Sequence, residues 1–179
     1  MNNLPCTVWL TGLSAAGKTT LADALAAAFA EQHVNCDVLD GDAVRQTLCR
    51  DLGFSPQDRS ENVRRVAVRC RELNDTGIVA IAALVSPYRA DRDIARQTVG
   101  EQRFVEVYLS TPLAVCEARD PKGLYRRARA GELANLTGIG DVYEAPLAPE
   151  LTFDTSVVPT NASVAAIMRL LGSPMPAAD

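Results

Sequence analysis

The chain has 179 residues, of which 47% are apolar and 22% charged, and its formal net charge is −4. This length and composition are typical of one globular domain with a core of its own. A negative chain has no global attraction to nucleic acid or to an anionic membrane, so we expect neither as a partner. Any anion that it binds must be held by a local cluster of positive groups.

The cysteines and the single histidine, His33, indicate neither a zinc site nor a disulfide framework. The five cysteines are odd in number, without a C-x-x-C pair, and are Cys6, Cys36, Cys49, Cys70 and Cys116. We expect reduced thiols in a cytoplasmic protein. Residues 1–5 lack the basic region of a signal peptide, and the longest apolar run, 78–85, is too short to span a bilayer.

Short apolar runs alternate with helical stretches along the chain, which predicts parallel β-α-β units. The predicted strands cover 6–10, 37–39, 78–85, 104–109 and 154–158. The predicted helices cover 18–32, 60–73 and 163–171, and Pro112 opens a further helix. Because the run 78–85 is continuously apolar, we expect an α/β fold with helices on both faces of a parallel sheet.

One segment, 120–150, loses apolar periodicity while glycine, proline and charge accumulate. It is long for a connection, so it is predicted to be a mobile lid rather than a linker. We expect a single domain over 1–172, without repeats, and a flexible tail over 173–179.

The first predicted strand leads into G-L-S-A-A-G-K-T, which matches the phosphate-loop (Walker A) pattern G-x-x-x-x-G-K-[ST]. Its glycines let successive N–H groups point at phosphate oxygens, and the helix that follows adds its positive N-terminal end. Lys18 would reach the β- and γ-phosphates of ATP in a catalytic role, and the Thr19 hydroxyl would ligate Mg²⁺. The predicted nucleotide-binding residues are Gly12, Leu13, Ser14, Ala15, Ala16, Gly17, Lys18, Thr19 and Thr20.

Two carboxylates, Asp40 and Asp42, follow the second predicted strand. Ligands of open α/β sheets gather at the carboxyl ends of strands, so these acids are candidates for holding Mg²⁺ or for accepting a proton. We expect Asp42 to join Thr19 at the metal and to act in catalysis. The alternative is a surface turn with incidental acids.

A basic group of side chains follows in the segment 45–65. Arg59, Asn62 and Arg65 are three residues apart, so they lie near one another on a helix and, with Arg45, could grip an anion such as a phosphosulfate. The aromatic Phe54 could either fill the core or stack on a base. A solvated basic face is the alternative, which we prefer for Arg64, Arg69 and Arg71.

Beside the phosphate loop, four segments in this order closely resemble the adenylyl-sulfate kinases: L-D-G-D at 39–42, D-L-G-F-S at 51–55, S-P-Y-R at 86–89 and D-P-K-G-L-Y at 120–125. The resemblance covers about residues 5–171. It implies transfer of the ATP γ-phosphoryl group to the 3′-hydroxyl of adenylyl sulfate (adenosine 5′-phosphosulfate) in sulfate assimilation. It also implies a Mg²⁺ requirement and a homodimer, and it leaves open a functional coupling to ATP sulfurylase.

Carried over by matching positions, the resemblance implies a substrate site made of Asp40, Asp42, Arg45, Phe54, Arg59, Asn62, Ser86, Lys122 and Leu136. Ser86 matches a serine that the family description marks as a phosphoserine intermediate, so it joins the catalytic candidates. Direct in-line transfer needs no covalent relay, and neither histidine nor lysine adjoins this serine, so a role in shaping the acceptor site stays open.

Three positions depart from the family pattern. Leu136 stands where members carry a phenylalanine that closes over the adenine, and Gly140 stands where an aspartate is common. Ala15 replaces a loop glycine, which we expect to be tolerated if its φ stays negative.

Other functions remain as alternatives. A kinase of the same fold could act on a nucleoside, a nucleotide or a sugar acid. A GTPase-like switch would need an N-K-x-D segment, which the sequence lacks. An inactive binding module is disfavoured because Lys18, Thr19 and Asp42 are all present.

Overall fold

The computed structural model describes residues 5–172, so the predicted tail 173–179 lies outside the described residues. Five strands form one all-parallel sheet in the order β2-β3-β1-β4-β5. They are β1 (Thr7–Gly12), β2 (Cys36–Asp40), β3 (Val79–Ala83), β4 (Phe104–Leu109) and β5 (Leu151–Phe153). The parallel sheet predicted from the sequence is confirmed.

Seven α-helices cover the two faces of this sheet within the described residues. They are α1 (Lys18–Glu31), α2 (Gly41–Gln46), α3 (Pro56–Asp75), α4 (Arg89–Val99), α5 (Leu113–Arg119), α6 (Leu124–Arg129) and α7 (Thr160–Leu170). The alternation of side chains along β1 separates two cores. Val8 and Leu10 belong to the core that includes side chains of α1 and α7, whereas Trp9 belongs to the core that includes side chains of α3 and α4.

Some element boundaries differ from those predicted. The strand expected at 154–158 was wrong, because Asp154 accepts hydrogen bonds from the Ser156 backbone N–H and hydroxyl and so forms a turn. Helix α3 begins at Pro56 rather than at residue 60, since Ser55 and Asp58 form a capping box ahead of the apolar periodicity. Helices α2, α4 and α6 were not predicted.

The segment 120–150 contains α6 and is otherwise irregular, apart from a bridge between Thr137 and Asp141. It runs past the carboxyl ends of β1 and β3, where Glu144 donates its backbone N–H to the carbonyl of Pro87. Among residues 5–172, no helix is both long enough and apolar enough to cross a membrane.

Candidate active site

A cavity of about 850 Å³ opens at the carboxyl edge of the sheet. Its volume is in the range of small-molecule sites, and its position is the one at which open α/β sheets bind ligands. The wall combines the phosphate loop, the turn after β2, the start of α3, the residues after β3, the segment 120–137 and the turn before α7.

The phosphate loop is shaped by its two glycines. Gly12 has φ +151°, and a Cβ atom there would lie 2.7 Å from the Leu109 carbonyl, so another side chain would push β4 away. Gly17 has φ +100°, and its Cβ would lie 3.3 Å from Thr155. Lys18 Nζ donates to the carbonyls of Gly12 (2.9 Å) and Leu13 (2.6 Å), and its burial lowers the pKa of this amine to about 8.

The loop residues divide between the cavity and the core. The residues on the cavity wall are Ser14, Ala15, Gly17, Lys18, Thr19 and Thr20. Ala16 is fully buried and Leu13 packs against the core, so neither of these two side chains faces the cavity. Ala15 has φ +61°, so the condition under which alanine was expected to be tolerated, a negative φ, is not met. An alanine in this left-handed region costs roughly 1–2 kcal/mol relative to the right-handed one.

Asp40, which ends β2, and Asp42, in the first turn of α2, both line the cavity, but they have different partners. Asp40 Oδ2 accepts the Thr19 hydroxyl at 2.7 Å, and Asp40 Oδ1 accepts the backbone N–H of Asp42 at 2.9 Å. Asp42 forms an ion pair with Lys122. The structure therefore places Asp40, rather than Asp42, against the loop threonine.

The donor set at this corner fits Mg²⁺. A hydroxyl and a carboxylate, Thr19 and Asp40, present hard oxygen atoms at the start of α1. Residues 5–172 contain no cluster of three or more histidine, cysteine or acidic side chains that could hold a metal by themselves. Mg²⁺ is usually bound through one or two carboxylates together with substrate phosphates, so such a cluster is not required.

An exposed aromatic ring on the wall of the same cavity lies close to two guanidinium groups. The Phe54 side chain is 57% exposed, which excludes its role as a core residue. Its ring centroid lies 4.4 Å from the guanidinium carbon of Arg45 and 5.8 Å from that of Arg59. Burial and the neighbouring Arg59 hold the pKa of Arg45 below its usual range. Arg59 also donates to the carbonyl of Asn135 at 2.7 Å.

The expectation that Arg65 shares this grip was wrong. Its guanidinium pairs with Asp51 at 2.6 Å and with Glu61 at 2.9 Å, and it does not line the cavity. Arg64 pairs with Glu61, in agreement with a solvated face.

Four polar side chains on the cavity wall have a buried atom without a hydrogen-bond partner among the described residues. These atoms are Asn62 Nδ2, Thr137 Oγ1, Ser163 Oγ and Arg59 Nε, the last of which lies 3.5 Å from Asp141 Oδ2. An unsatisfied buried polar group costs about 1–3 kcal/mol, so a ligand that pairs with it gains affinity. Arg59 and Asn62 were predicted from the sequence as site residues, whereas Thr137 and Ser163 were not.

Ser86 lies at the edge of the cavity, where it is 3% exposed and has φ +39°. Its hydroxyl oxygen accepts the indole N–H of Trp9 at 3.1 Å, and its proton is donated to Thr11 Oγ1 at 2.9 Å. These bonds occupy the hydroxyl, so the geometry favours a role in shaping the wall over that of a nucleophile.

Two cavity residues behind the phosphate loop were also missed. Arg119 donates to the carbonyl of Ala15 at 3.2 Å and to the Thr155 hydroxyl and carbonyl at 2.8 and 2.9 Å. Arg119 could have been identified as a site residue because it directly precedes the D-P-K-G-L-Y segment. Thr155 could not have been identified, because it fell in the strand wrongly predicted at 154–158.

The phosphate loop, its helix and a parallel sheet with helices on both faces define the class as the P-loop proteins that bind nucleoside triphosphates. Within this class, the family model of adenylylsulphate kinase matches residues 4–154. The chain belongs to the adenylylsulphate kinase family.

Individual relatives agree with this assignment. The chain is 54% identical over 167 residues to an adenylyl-sulfate kinase of Pseudomonas entomophila, covering 93% of this chain and 80% of that protein. An APS kinase of Mycobacterium tuberculosis, solved in complex with AMPPNP and APS, has a TM-score of 0.91 at 39% identity, covering 94% of this chain and 98% of that one. A hexameric APS kinase of Thiobacillus denitrificans has a TM-score of 0.71 at 34% identity, covering 95% of this chain and 29% of that one.

Proposed function

We propose that this protein transfers the γ-phosphoryl group of ATP to the 3′-hydroxyl of adenylyl sulfate, giving 3′-phosphoadenylyl sulfate and ADP. The observation that carries the proposal is the presence of two unlike sets of groups on the wall of one cavity. One set is a phosphate loop, and the other is an exposed aromatic ring with two guanidinium groups. The complex of the Mycobacterium tuberculosis relative with AMPPNP and APS supports these two ligands.

At the ATP end, the loop amides and the start of α1 bind the phosphates. The amine of Lys18 leaves the carbonyls of Gly12 and Leu13 for phosphate oxygens, where its charge stabilises the transition state. Thr19 with Asp40 or Asp42 would hold Mg²⁺, which when bound supplies charge neutralisation between the β- and γ-phosphates.

At the acceptor end, Phe54 stacks on the adenine, while Arg45, Arg59 and Asn62 bind the phosphosulfate. The 3′-oxygen forms a bond to the γ-phosphorus as the bond to the β-phosphate oxygen breaks, and the hydroxyl proton passes to a base. Asp42 is our candidate for orienting that hydroxyl. In a loose transition state, orientation contributes more than base strength.

The other proposed substrate-binding residues of the cavity wall are Lys122 and Leu136. Lys122, already paired with Asp42, neutralises phosphate charge as the substrates enter, and Leu136 covers the adenine. The segment 120–150 acts as a lid that excludes water, within one domain over 1–172.

The proposal also covers the oligomeric state of the enzyme, its compartment and a partner enzyme. The resemblance to the family supports a homodimer, whereas the relative from Thiobacillus denitrificans is hexameric, so sedimentation of the purified protein is the test. All five cysteines are free thiols, which supports the cytoplasm as its compartment. A functional coupling to ATP sulfurylase rests on the chemistry alone, because that enzyme makes adenylyl sulfate.

The test is a coupled assay of ADP release with ATP, Mg²⁺ and one acceptor at a time. We expect turnover with adenylyl sulfate and none with its 3′-deoxy analogue, which keeps the base and the phosphosulfate but lacks the acceptor. A nucleoside, AMP and gluconate serve as the competing acceptors. Faster turnover with any of these would replace the proposal by the alternative kinase.

A further inference from the structure

Residues 142–146, in the last part of the segment 120–150, are tied by hydrogen bonds to β1 and to residues 87–92, and we name these five residues the return strap. Glu144 donates its N–H to the Pro87 carbonyl at 2.8 Å, and its carboxylate accepts the Arg89 N–H at 2.8 Å. Arg89 Nε donates to the carbonyl of Ala145 at 2.7 Å. The Tyr143 hydroxyl lies 2.9 Å from Thr11 Oγ1.

The buried side chain of Arg92 also joins this strap to the acceptor side of the cavity. Arg92 is 2% exposed and donates from each of its three nitrogen atoms to a different segment. Nε donates to Glu106 on β4 at 2.8 Å, one terminal nitrogen to the Ser86 carbonyl at 2.6 Å, and the other to the Glu144 carbonyl at 2.6 Å.

The backbone that Arg92 holds is strained. Ser86 has φ +39°, a conformation that a non-glycine residue keeps only when its surroundings enforce it. Arg92 binds the carbonyl of this serine, while Trp9 and Thr11 bind its hydroxyl. Both Ser86 and the following Pro87 line the cavity, whereas Arg92 does not.

We propose that Arg92 is a positioning residue for phosphoryl transfer, which holds the acceptor wall at Ser86 and Pro87 and the return strap in one arrangement. The inference rests on the proposed function, because it concerns the acceptor half of that site. Arg92 touches no substrate, so its effect reaches the reaction through Ser86, Pro87 and the end of the lid.

Arginine is the residue that this junction requires. Its planar guanidinium presents donors in fixed directions, so it reaches three acceptors at once. Lysine keeps the charge next to Glu106 but has one nitrogen, so it cannot keep all three bonds. Arg92→Lys therefore separates the geometry of the junction from its charge.

The chain offers a matched control on the same helix. Arg96, one turn after Arg92, pairs with Glu150 at 2.7 Å and lies 3.7 Å from Glu106, but it contacts neither Ser86 nor the return strap. Arg96→Lys thus perturbs the same charged network without touching the acceptor wall.

The experiment measures kcat and KM for each substrate separately, together with the emission of Trp9, the single tryptophan of the chain. In Arg92→Lys we expect kcat/KM for adenylyl sulfate to fall about tenfold or more, as for loss of a charge-assisted hydrogen bond. The KM for ATP should stay within about twofold, since the three hydrogen bonds of Arg92 go to Glu106, Ser86 and Glu144 and none goes to the phosphate loop. Trp9 emission should shift, because its partner Ser86 is released, and Arg96→Lys should leave kcat/KM for adenylyl sulfate unchanged.

Should Arg92→Lys fail to fold, Tyr143→Phe removes a second tie of the strap without stranding a buried charge, and it should lower kcat/KM for adenylyl sulfate in the same selective way. Equal losses for both substrates, or an unchanged kcat/KM for adenylyl sulfate in the folded variant, would overturn the inference. Wild-type protein that releases no ADP in the presence of adenylyl sulfate would instead overturn the proposed function.

Discussion

The Thr19 hydroxyl donates to the Asp40 carboxylate at 2.7 Å, which joins the phosphate loop directly to the carboxyl end of β2. This contact reverses the ranking of the two acids that the sequence alone favoured. Because Asp40 contacts Thr19, replacing Asp40 should affect metal and nucleotide binding more than replacing Asp42.

We predict that Asp40→Asn raises the Mg²⁺ concentration needed for half-maximal activity by about tenfold. The amide is a weaker ligand for a hard cation than a carboxylate. A Mg²⁺ titration of ATP binding and turnover is the measurement. Asp37→Asn, on the same strand but outside the cavity wall, is the control, and an unshifted Mg²⁺ dependence would remove Asp40 from the metal site.

Asp42 has a separate predicted effect. We expect Asp42→Asn to lower kcat by about 10²-fold, as for loss of a catalytic base or orienting group, while the Kd of ATP stays nearly unchanged. Single-turnover rates measure the loss in the chemical step, and ATP titrations measure whether the Kd of ATP has changed. Near-normal chemistry in this variant would show that pairing with Lys122 is the whole role of Asp42.

Lys18→Ala should nearly abolish turnover while the fold persists. The amine neutralises charge that develops on the transferred group, and losing such a preorganised donor typically costs about 10²–10³ in kcat. Circular dichroism checks the fold, and Arg64→Ala on the solvated face is the control. A variant with wild-type kcat would refute the role of the phosphate loop.

Ser86→Ala distinguishes a wall residue from a covalent intermediate. We expect substantial activity to remain, with stability lowered by about 1–3 kcal/mol because the buried Trp9 indole N–H loses its acceptor. Denaturant unfolding and steady-state rates are the measurements. Labelled γ-phosphate that appears on wild-type Ser86 at a chemically competent rate would contradict this prediction.

The features that could be predicted from the sequence are those made by residues close together in the chain. The phosphate loop could be predicted because eight successive residues carry its chemistry, and Asp40 because it ends a strand. Arg59 and Arg65 share a helix, but only the tertiary fold shows that Asp51 and Glu61 hold Arg65 away from the cavity.

Contacts that depend on the order of the strands in the sheet could not be predicted from the sequence. Thr155 contacts the phosphate loop because β5 lies beside β4, and β4 beside β1. Ser163 reaches the cavity because α7 packs on the same core as α1. The left-handed φ of Ala15 is likewise imposed by the loop, against the preference of the residue.

Leu136 tests how far the adenine clamp of the family applies to this chain. Its backbone is fixed, since the Gly140 N–H donates to the Leu136 carbonyl at 2.9 Å, and its side chain lines the cavity while packing against the core. Leucine covers a base by dispersion but cannot stack on it. We therefore predict that Leu136→Phe tightens binding of adenylyl sulfate, because a second ring would join Phe54 at the adenine. By analogy with base stacking in nucleic-acid binding, the gain approaches about 1 kcal/mol, or roughly fivefold in Kd.

The measurement is the Kd of adenylyl sulfate from quenching of Trp9 emission, with ATP affinity as the internal control. Phe54→Leu removes the other ring, so it should weaken adenylyl sulfate by a similar factor and leave ATP unaffected. In the double variant the two changes should nearly cancel, because each ring contacts a different face of the base. A Leu136→Phe variant with an equal or weaker affinity would mean that the new ring stays in the core, where Leu136 already packs, and that the segment 120–150 covers the base with other atoms.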